Sequence, residues 1–145
     1  MTKRTIIIQK KRSHKTYHTS SSHETAQLAM RFSKVLRGGS VVALSGELGA
    51  GKTVFTNGIA QSLGIIRPVT SPTFVLMMLY PIPKTHHVNA AQLCHIDTYR
   101  LHSGEELIDI GAQDYIGQPD VITVIEWPEK VADLLPPETI HIYIE

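Results

Sequence analysis

The chain has 145 residues, 42% hydrophobic and 19% charged, which is the balance of one globular domain with a real core and excludes wholesale disorder. No apolar run approaches the roughly 18–20 residues that cross a bilayer, and the first fifteen residues lack the pattern of a secretion signal. Cys94 is the single cysteine, so an internal disulfide is excluded, and a single soluble domain over residues 1–145 in a reducing, cytoplasmic setting is expected.

The net charge of +1 is unevenly spread. Six of the fourteen lysines and arginines fall in the first fifteen residues (Lys3, Arg4, Lys10, Lys11, Arg12 and Lys15), and no acid precedes Glu24. From Asp97 onward, eleven acids face only Arg100 and Lys130. Residues 1–20 therefore form a basic arm, read as a solvated and partly frayed terminus or as an edge strand, with contact to a phosphate backbone as its functional alternative. The acidic remainder does not resemble an autonomous nucleic-acid binder, so any role on RNA is expected to run through partners.

In chain order, Ser21-Ser22-His23-Glu24 fits a capping box, with Ser21 as N-cap and Glu24 three residues on. Leu28, Phe32, Val35 and Leu36 continue at helical spacing until Gly38-Gly39 stops them. Residues 40–44 (SVVAL) read as a buried strand, and residues 52–63 as a helix ended by Gly64. Residues 73–80 and 93–99 read as neighbouring strands around a Pro-containing loop, with short helical pieces at 105–110 and 114–116. Residues 121–125 (VITVI) are β-branched throughout and form the most strand-like run; residues 140–144 (IHIYI) alternate and suit an edge strand. The sum is an α/β domain with a mixed, mainly parallel sheet and helices on its faces.

The sharpest motif is Gly46-Glu-Leu-Gly-Ala-Gly51-Lys52-Thr53, a complete G-x-x-x-x-G-K-T between a predicted strand and a predicted helix. Glycines there let the backbone turn tightly and aim successive N–H groups at phosphate oxygens. The helix N-terminus adds unsatisfied donors and partial positive charge. In such a loop Lys52 serves the β- and γ-phosphates, and Thr53 offers a hydroxyl to Mg²⁺.

A phosphate loop of this kind needs an acid at the end of another strand, and Glu126 follows residues 121–125 directly. Glutamate reaches one methylene further than the aspartate usual there, so it can bind the metal or polarise a water. Trp127, the only tryptophan, packs at the site's edge, on a partner surface or in the core. In Val69-Thr-Ser-Pro-Thr-Phe74, Thr73 is the candidate sensor of a γ-phosphate, unless the stretch is only a strand entry. His95, Asp97 and Tyr99 alternate onto one strand face, where three polar groups cost desolvation unless that face lines a site. Asp97 is the candidate to hold a water or order the metal shell; pairing with Arg100 is its structural alternative. His14 with His18, His86-His87 and Met77-Met78 lack the partners of a metal site, and Cys94 reads as buried and inert.

GELGAGKT, VTSPTF, HIDTYRL followed by EEL, IEWPEK and LLP occur in that order, and together they resemble the TsaE (YjeE) family over residues 21–145. Each motif alone is moderate evidence; the ordered set is far more specific. The resemblance implies a P-loop NTPase-like three-layer α/β fold around a central mixed, mainly parallel sheet. It implies an ATPase of tRNA threonylcarbamoyladenosine synthesis with ATP and Mg²⁺ as its nucleotide and metal. It also implies slow turnover stimulated by the partner proteins TsaD and TsaB, with tRNA reached only indirectly through that complex and no membrane partner. Carried over by position, Leu48, Gly49, Ala50, Gly51, Lys52 and Thr53 contact the phosphates, and Thr53 with Glu126 holds Mg²⁺. Thr73, Asp97 and Trp127 match positions tied to switching and activity, and Ser22 falls near the family's nucleotide contacts. The loop at 81–92 is longer, and the first twenty residues more basic, than the family pattern.

Two other readings share the same loop. One is a nucleotide-gated regulatory switch with negligible turnover. The other is a small-molecule phosphotransferase, which needs basic lid residues, whereas this chain has six arginines with two in the N-terminal arm.

Overall fold

The computed structural model describes residues 3–70, 76–84 and 89–145. Strands β1 (Arg4–Lys10), β2 (Ser13–Thr19), β3 (Val41–Gly46), β4 (Met77–Pro81), β5 (Gln92–Asp97), β6 (Val121–Glu126) and β7 (Ile140–Ile144) form one sheet in the order β2-β1-β7-β3-β6-β5-β4. The central pairs β7–β3, β3–β6 and β6–β5 are parallel, and the flanking pairs are antiparallel. Helices α1 (Ser22–Phe32) and α2 (Lys52–Ser62) cover one face, packed with Ile6, Leu44, Ile122, Val124 and Ile142. The short α3 (Gly104–Asp109) and the 3-10 segments Ala112–Asp114 and Pro128–Leu134 cover the other, over Cys94, Ile96, Val121 and Ile125. The result is the expected three-layer α/β architecture.

The sequence explains the elements. Ser21 caps α1 by accepting from the Glu24 amide at 3.1 Å, while the Glu24 carboxylate accepts from the Ser20 amide at 2.6 Å. The β6 run is buried at every position because β3 and β5 flank it and both faces are covered, which suits a continuous β-branched stretch. Cys94, on β5, is fully buried, and burial pushes its thiol up to about 12, so it stays protonated and unreactive.

Several expectations are corrected. Residues 140–144 are no edge strand: β7 lies between β1 and β3. Their alternation records an uncovered face, where Tyr143 stays exposed while Ile142 and Ile144 are buried against the α1–α2 layer. The described part of the basic arm is ordered rather than frayed. Residues 4–19 form a hairpin, with β2 as the edge strand and β1 anchored by Ile6 and Ile8 opposite Ile144 and Ile142. His14, Lys15 and His18 along β2 keep that open edge polar. Strand β5 stops at Asp97, so Tyr99 lies in the following turn and not on the strand face. Helix α1 stops at Phe32, and Val35 belongs to a 3-10 turn, Ser33–Val35. Of the strand expected at 73–80, residues 77–80 lie in β4, and residues 73–75 lie outside the described residues.

The α1–α2 crossing depends on one glycine. A Cβ at Gly58 would lie 2.6 Å from both the Ala26 carbonyl oxygen and the Ala29 Cβ. Alanine would gain about 1 kcal/mol of helix propensity, but overpacking a close backbone contact costs about 1–3 kcal/mol. Gly58→Ala is therefore expected to lower Tm, by about 2–4 °C per kcal/mol of net loss for a chain of this size. A variant melting at or above the parent temperature would show that the two helices can part freely.

Candidate functional site

Strand β3 ends at Gly46, the chain turns through residues 47–50, and α2 begins at Lys52 with Gly51 as its N-cap. Gly49 and Gly51 have φ of +79° and +111°, values that L side chains rarely adopt. A Cβ on Gly49 would meet nothing within 4 Å. The glycines are thus set by backbone direction, and they leave an open cradle beside the loop.

Lys52 lies at the floor of this loop, only 6% exposed. Its Nζ donates to the carbonyls of Gly46 at 2.6 Å and Glu47 at 2.9 Å, and it lies 4.2 Å from the centroid of the Trp127 ring. Burial pulls the ammonium below the ordinary lysine value, and the carboxylates of Glu126, Asp97, Glu129 and Glu47 pull the other way. The side chain is a desolvated cation stored among carbonyls, carboxylates and an aromatic face.

The acids reach this cation through sheet register. In the parallel β5–β6 pair Asp97 lies opposite Glu126, so two strand ends deliver two carboxylates side by side. Glu126 is 2% exposed. Its Oε1 lies 3.4 Å from the Thr53 hydroxyl, which donates at the long limit of hydrogen bonding. Its Oε2 lies 3.2 Å from Nε2 of the fully buried His95, whose Nδ1 has no partner among the described residues. With Glu126 ionised and therefore acceptor-only, the contact places a His95 proton on Nε2. Asp97 Oδ1 accepts from the Tyr99 amide at 2.9 Å, which turns the chain sharply after β5.

Trp127 follows Glu126 with φ of +59° and ψ of +52°, a left-handed conformation for a bulky residue. Such backbone strain persists only where surroundings enforce it. Here the Trp127 amide donates to the Leu44 carbonyl at 3.1 Å, and the Thr98 hydroxyl hydrogen-bonds the Trp127 carbonyl. The indole also packs on Tyr99, with ring centroids 4.9 Å apart. The reading of Trp127 as a core anchor gives way to a half-buried position at the rim of the site.

Two cavities flank the loop. The larger, about 530 Å³, is lined by Leu48, Gly49, Gly51, Lys52, Thr53, Asp97, Glu126 and Trp127, together with Tyr99 and Arg100. The smaller, about 240 Å³, lies on the loop's other flank, between Gly49, Ala50 and Gly51 and the residues Arg4, Ser20, Ser21, Ser22 and Thr25. The structure thus gathers Lys52, Thr53, Asp97, Glu126 and Trp127 in one place, with Leu48 76% exposed at its mouth. Gly46 contributes its carbonyl from the end of β3. Ser22, the first residue of α1, faces the second cavity beside Ala50. Thr73 lies outside the described residues.

The donor set fits a phosphorylated ligand and a hard divalent cation. A cradle that a Cβ would narrow, a buried ammonium and a helix N-terminus suit phosphate oxygens. A hydroxyl and a carboxylate with oxygen-only donors suit Mg²⁺. Sequence reasoning missed two contacts: the support His95 gives Glu126, and the bond from Arg4 Nη2 to the Gly49 carbonyl at 2.9 Å. The alternation around Asp97 signalled the first; nothing local signalled the second.

The profile of the family described as "Threonylcarbamoyl adenosine biosynthesis protein TsaE" matches residues 19–145. The tRNA threonylcarbamoyladenosine biosynthesis protein TsaE of Treponema pallidum is 44% identical over 122 residues, covering 84% of each chain. Its namesake in Streptomyces coelicolor is 38% identical over 120 residues, covering 82% of this chain and 77% of that one. The crystal structure of Bacillus subtilis YdiB superposes with a TM-score of 0.68 at 29% identity, covering 95% of this chain and 76% of the other. Among the described residues no helix is long and apolar enough to cross a membrane. With the profile covering both the phosphate loop and the strand that ends in Glu126, the chain belongs to the TsaE family of tRNA threonylcarbamoyladenosine biosynthesis.

Proposed function

We propose that this protein binds Mg-ATP at the phosphate loop and hydrolyses it slowly, in the service of a TsaB–TsaD complex that modifies tRNA. The observation carrying this reading is the convergence of Lys52, Thr53, Asp97 and Glu126 on one cavity of about 530 Å³. In the proposed resting state Lys52 keeps its charge on the carbonyls of Gly46 and Glu47. An entering polyphosphate then offers that cation a stronger, charged acceptor. The amides of residues 48–53 donate to the phosphates, and Thr53 and Glu126 hold the metal. Mg²⁺, when bound, supplies charge to the β- and γ-phosphate oxygens. Asp97 orients the attacking water, Thr73 senses the γ-phosphate, and His95 fixes the Glu126 carboxylate so that its oxygens stay aimed at the site. Partner proteins raise the slow turnover of the isolated protein.

Trp127 reports on the test. As the sole tryptophan, with the Lys52 ammonium 4.2 Å from its ring, its emission is expected to change saturably as Mg-ATP draws that ammonium away. The change should weaken when Mg²⁺ is chelated and disappear in Thr53→Ala. No change in emission, with no heat of binding by calorimetry, would remove nucleotide from the account.

A further inference from the structure

The N-terminal hairpin reaches further along the sheet than the helix that covers it. In the antiparallel β1–β2 pair Ile6 lies opposite Tyr17, Ile8 opposite Lys15 and Lys10 opposite Ser13, and residues directly opposite share a face. Ile6 and Ile8 belong to the core under α1 and α2, so that face of the hairpin carries Tyr17 and Lys15 as well. Cover runs out along it. Thr19 is buried, its hydroxyl 2.8 Å from that of Thr25 on α1, while Tyr17 is half-buried and Lys15 exposed. On β1 the series is the same, from Ile6 at 0% exposure through Ile8 at 8% to an exposed Lys10.

What the helix leaves open is a groove of about 440 Å³ between the hairpin and the last turns of α1. Its floor is apolar, made by Ile8, Tyr17, Leu28 and Phe32 and by Val35, which is 48% exposed. Three cations line it, Lys10, Lys15 and Arg31, and no carboxylate does. None of the three has a side-chain hydrogen-bond or ion-pair partner among the described residues. The wider surface repeats this bias, for residues 1–46 hold nine lysines and arginines and one acid, Glu24. Glu24 lies in the first turn of α1 with its carboxylate on the Ser20 amide, whereas Arg31 lies in the last. No acid of this flank is placed to neutralise the groove.

An apolar floor under unneutralised cations calls for both kinds of group in one ligand. Nucleic acid would satisfy the cations, but a stacking platform needs open ring faces. The rings here are Phe32, at 8% exposure, and the half-buried Tyr17. An acidic protein segment satisfies both, since its apolar side chains take the floor out of water and its carboxylates pair with the cations. We propose that this groove is a docking site for such a segment: an acidic peptide stretch, with apolar side chains set among its carboxylates, supplied by a partner protein. The hairpin wall of the groove precedes the family-matched residues 19–145. No residue lining it lines either cavity beside the phosphate loop, so the site does not depend on the nucleotide reading.

The test is selection of a displayed random peptide library on the full chain, with counter-selection on Lys15→Glu/Arg31→Glu. Both changes fall at exposed positions, and melting temperatures confirm that each variant is folded. Enriched peptides are expected to carry several acids beside apolar residues. A fluorescein-labelled peptide of the enriched sequence is then titrated by polarisation against the parent, this variant and Lys11→Glu/Arg12→Glu. The last makes the same charge change at the hairpin turn, outside the groove. Lys15→Glu/Arg31→Glu should weaken binding by about 10-fold or more, as two exposed ion pairs become two repulsions. Lys11→Glu/Arg12→Glu should change it by less than about 3-fold. Val35→Ser should weaken it as well, which charge attraction alone would not produce. No enrichment over the counter-selecting variant would overturn the site, as would enriched peptides without acids. A single-stranded RNA oligonucleotide that displaces the peptide, and loses affinity in Lys15→Glu/Arg31→Glu but not in Lys11→Glu/Arg12→Glu, would also overturn it and make the groove a nucleic-acid contact.

Discussion

Lys52→Ala is expected to lower partner-stimulated ATP turnover by at least about 100-fold, the effect of removing one preorganised charge donor from a transition state. The size follows from where the ammonium lies. At 6% exposure it acts in a poorly screened setting, between the Gly46 and Glu47 carbonyls and the face of Trp127. Of the described residues lining the larger cavity, Arg100 is the other cation, and it follows Asp97 in the turn rather than the loop. Lys52→Arg is not expected to rescue activity, because a planar fork cannot replace a compact ammonium in a space shaped around it. Phosphate release measured beside thermal melting separates this from misfolding. A folded Lys52→Ala protein with parental turnover would place the chemistry elsewhere.

Glu126→Gln is expected to have the next largest effect, a loss of about 100-fold in turnover with a shifted Mg²⁺ requirement. The amide keeps the length of the side chain and an oxygen acceptor for His95 Nε2, now at 3.2 Å from the carboxylate. The fold should therefore survive, since the remaining contacts of β6 are apolar and buried. What disappears is the negative charge beside Thr53, and with it the preference for a hard cation. A titration of turnover against Mg²⁺ reads both effects. Undiminished partner-stimulated turnover would take Glu126 out of the reacting site.

The legible and illegible parts of this molecule differ for physical reasons. The phosphate loop is local: three glycines, a lysine and a threonine between a buried strand and a helix demand one geometry, and Gly49 and Gly51 adopt the positive φ that geometry requires. The β6 run announced a central strand because β-branched residues at every position suit a strand covered on both faces. By contrast, the alternation of β7 reads as an edge strand, although the strand lies between β1 and β3. One uncovered face and one unpaired edge leave the same mark on a sequence, and only pairing with β1 separates them.

The candidate site divides the same way. Lys52, Thr53 and Glu126 could be named from motifs, but the pairing of Asp97 with Glu126 is a consequence of β5–β6 register. Alternation along β5 gives the face of His95 but not its partner, which lies 31 positions away on another strand. Tyr99 reaches the cavity by a turn capped on Asp97 rather than by strand alternation. Arg4 is the extreme case, where a basic arm that looked solvated is embedded through Ile6 and Ile8 and delivers one side chain to the loop.

Mg-ATP hydrolysis at this loop is proposed to be coupled to a TsaB–TsaD complex. The most direct measurement is the rate of phosphate release from Mg-ATP by the purified protein, alone and with TsaB–TsaD, alongside Thr53→Ala. A low basal rate that rises when the partners are added and vanishes in Thr53→Ala is expected. Tight Mg-ATP binding with no rise on adding the partners would contradict it, and would make the protein a nucleotide-gated switch instead of an ATPase.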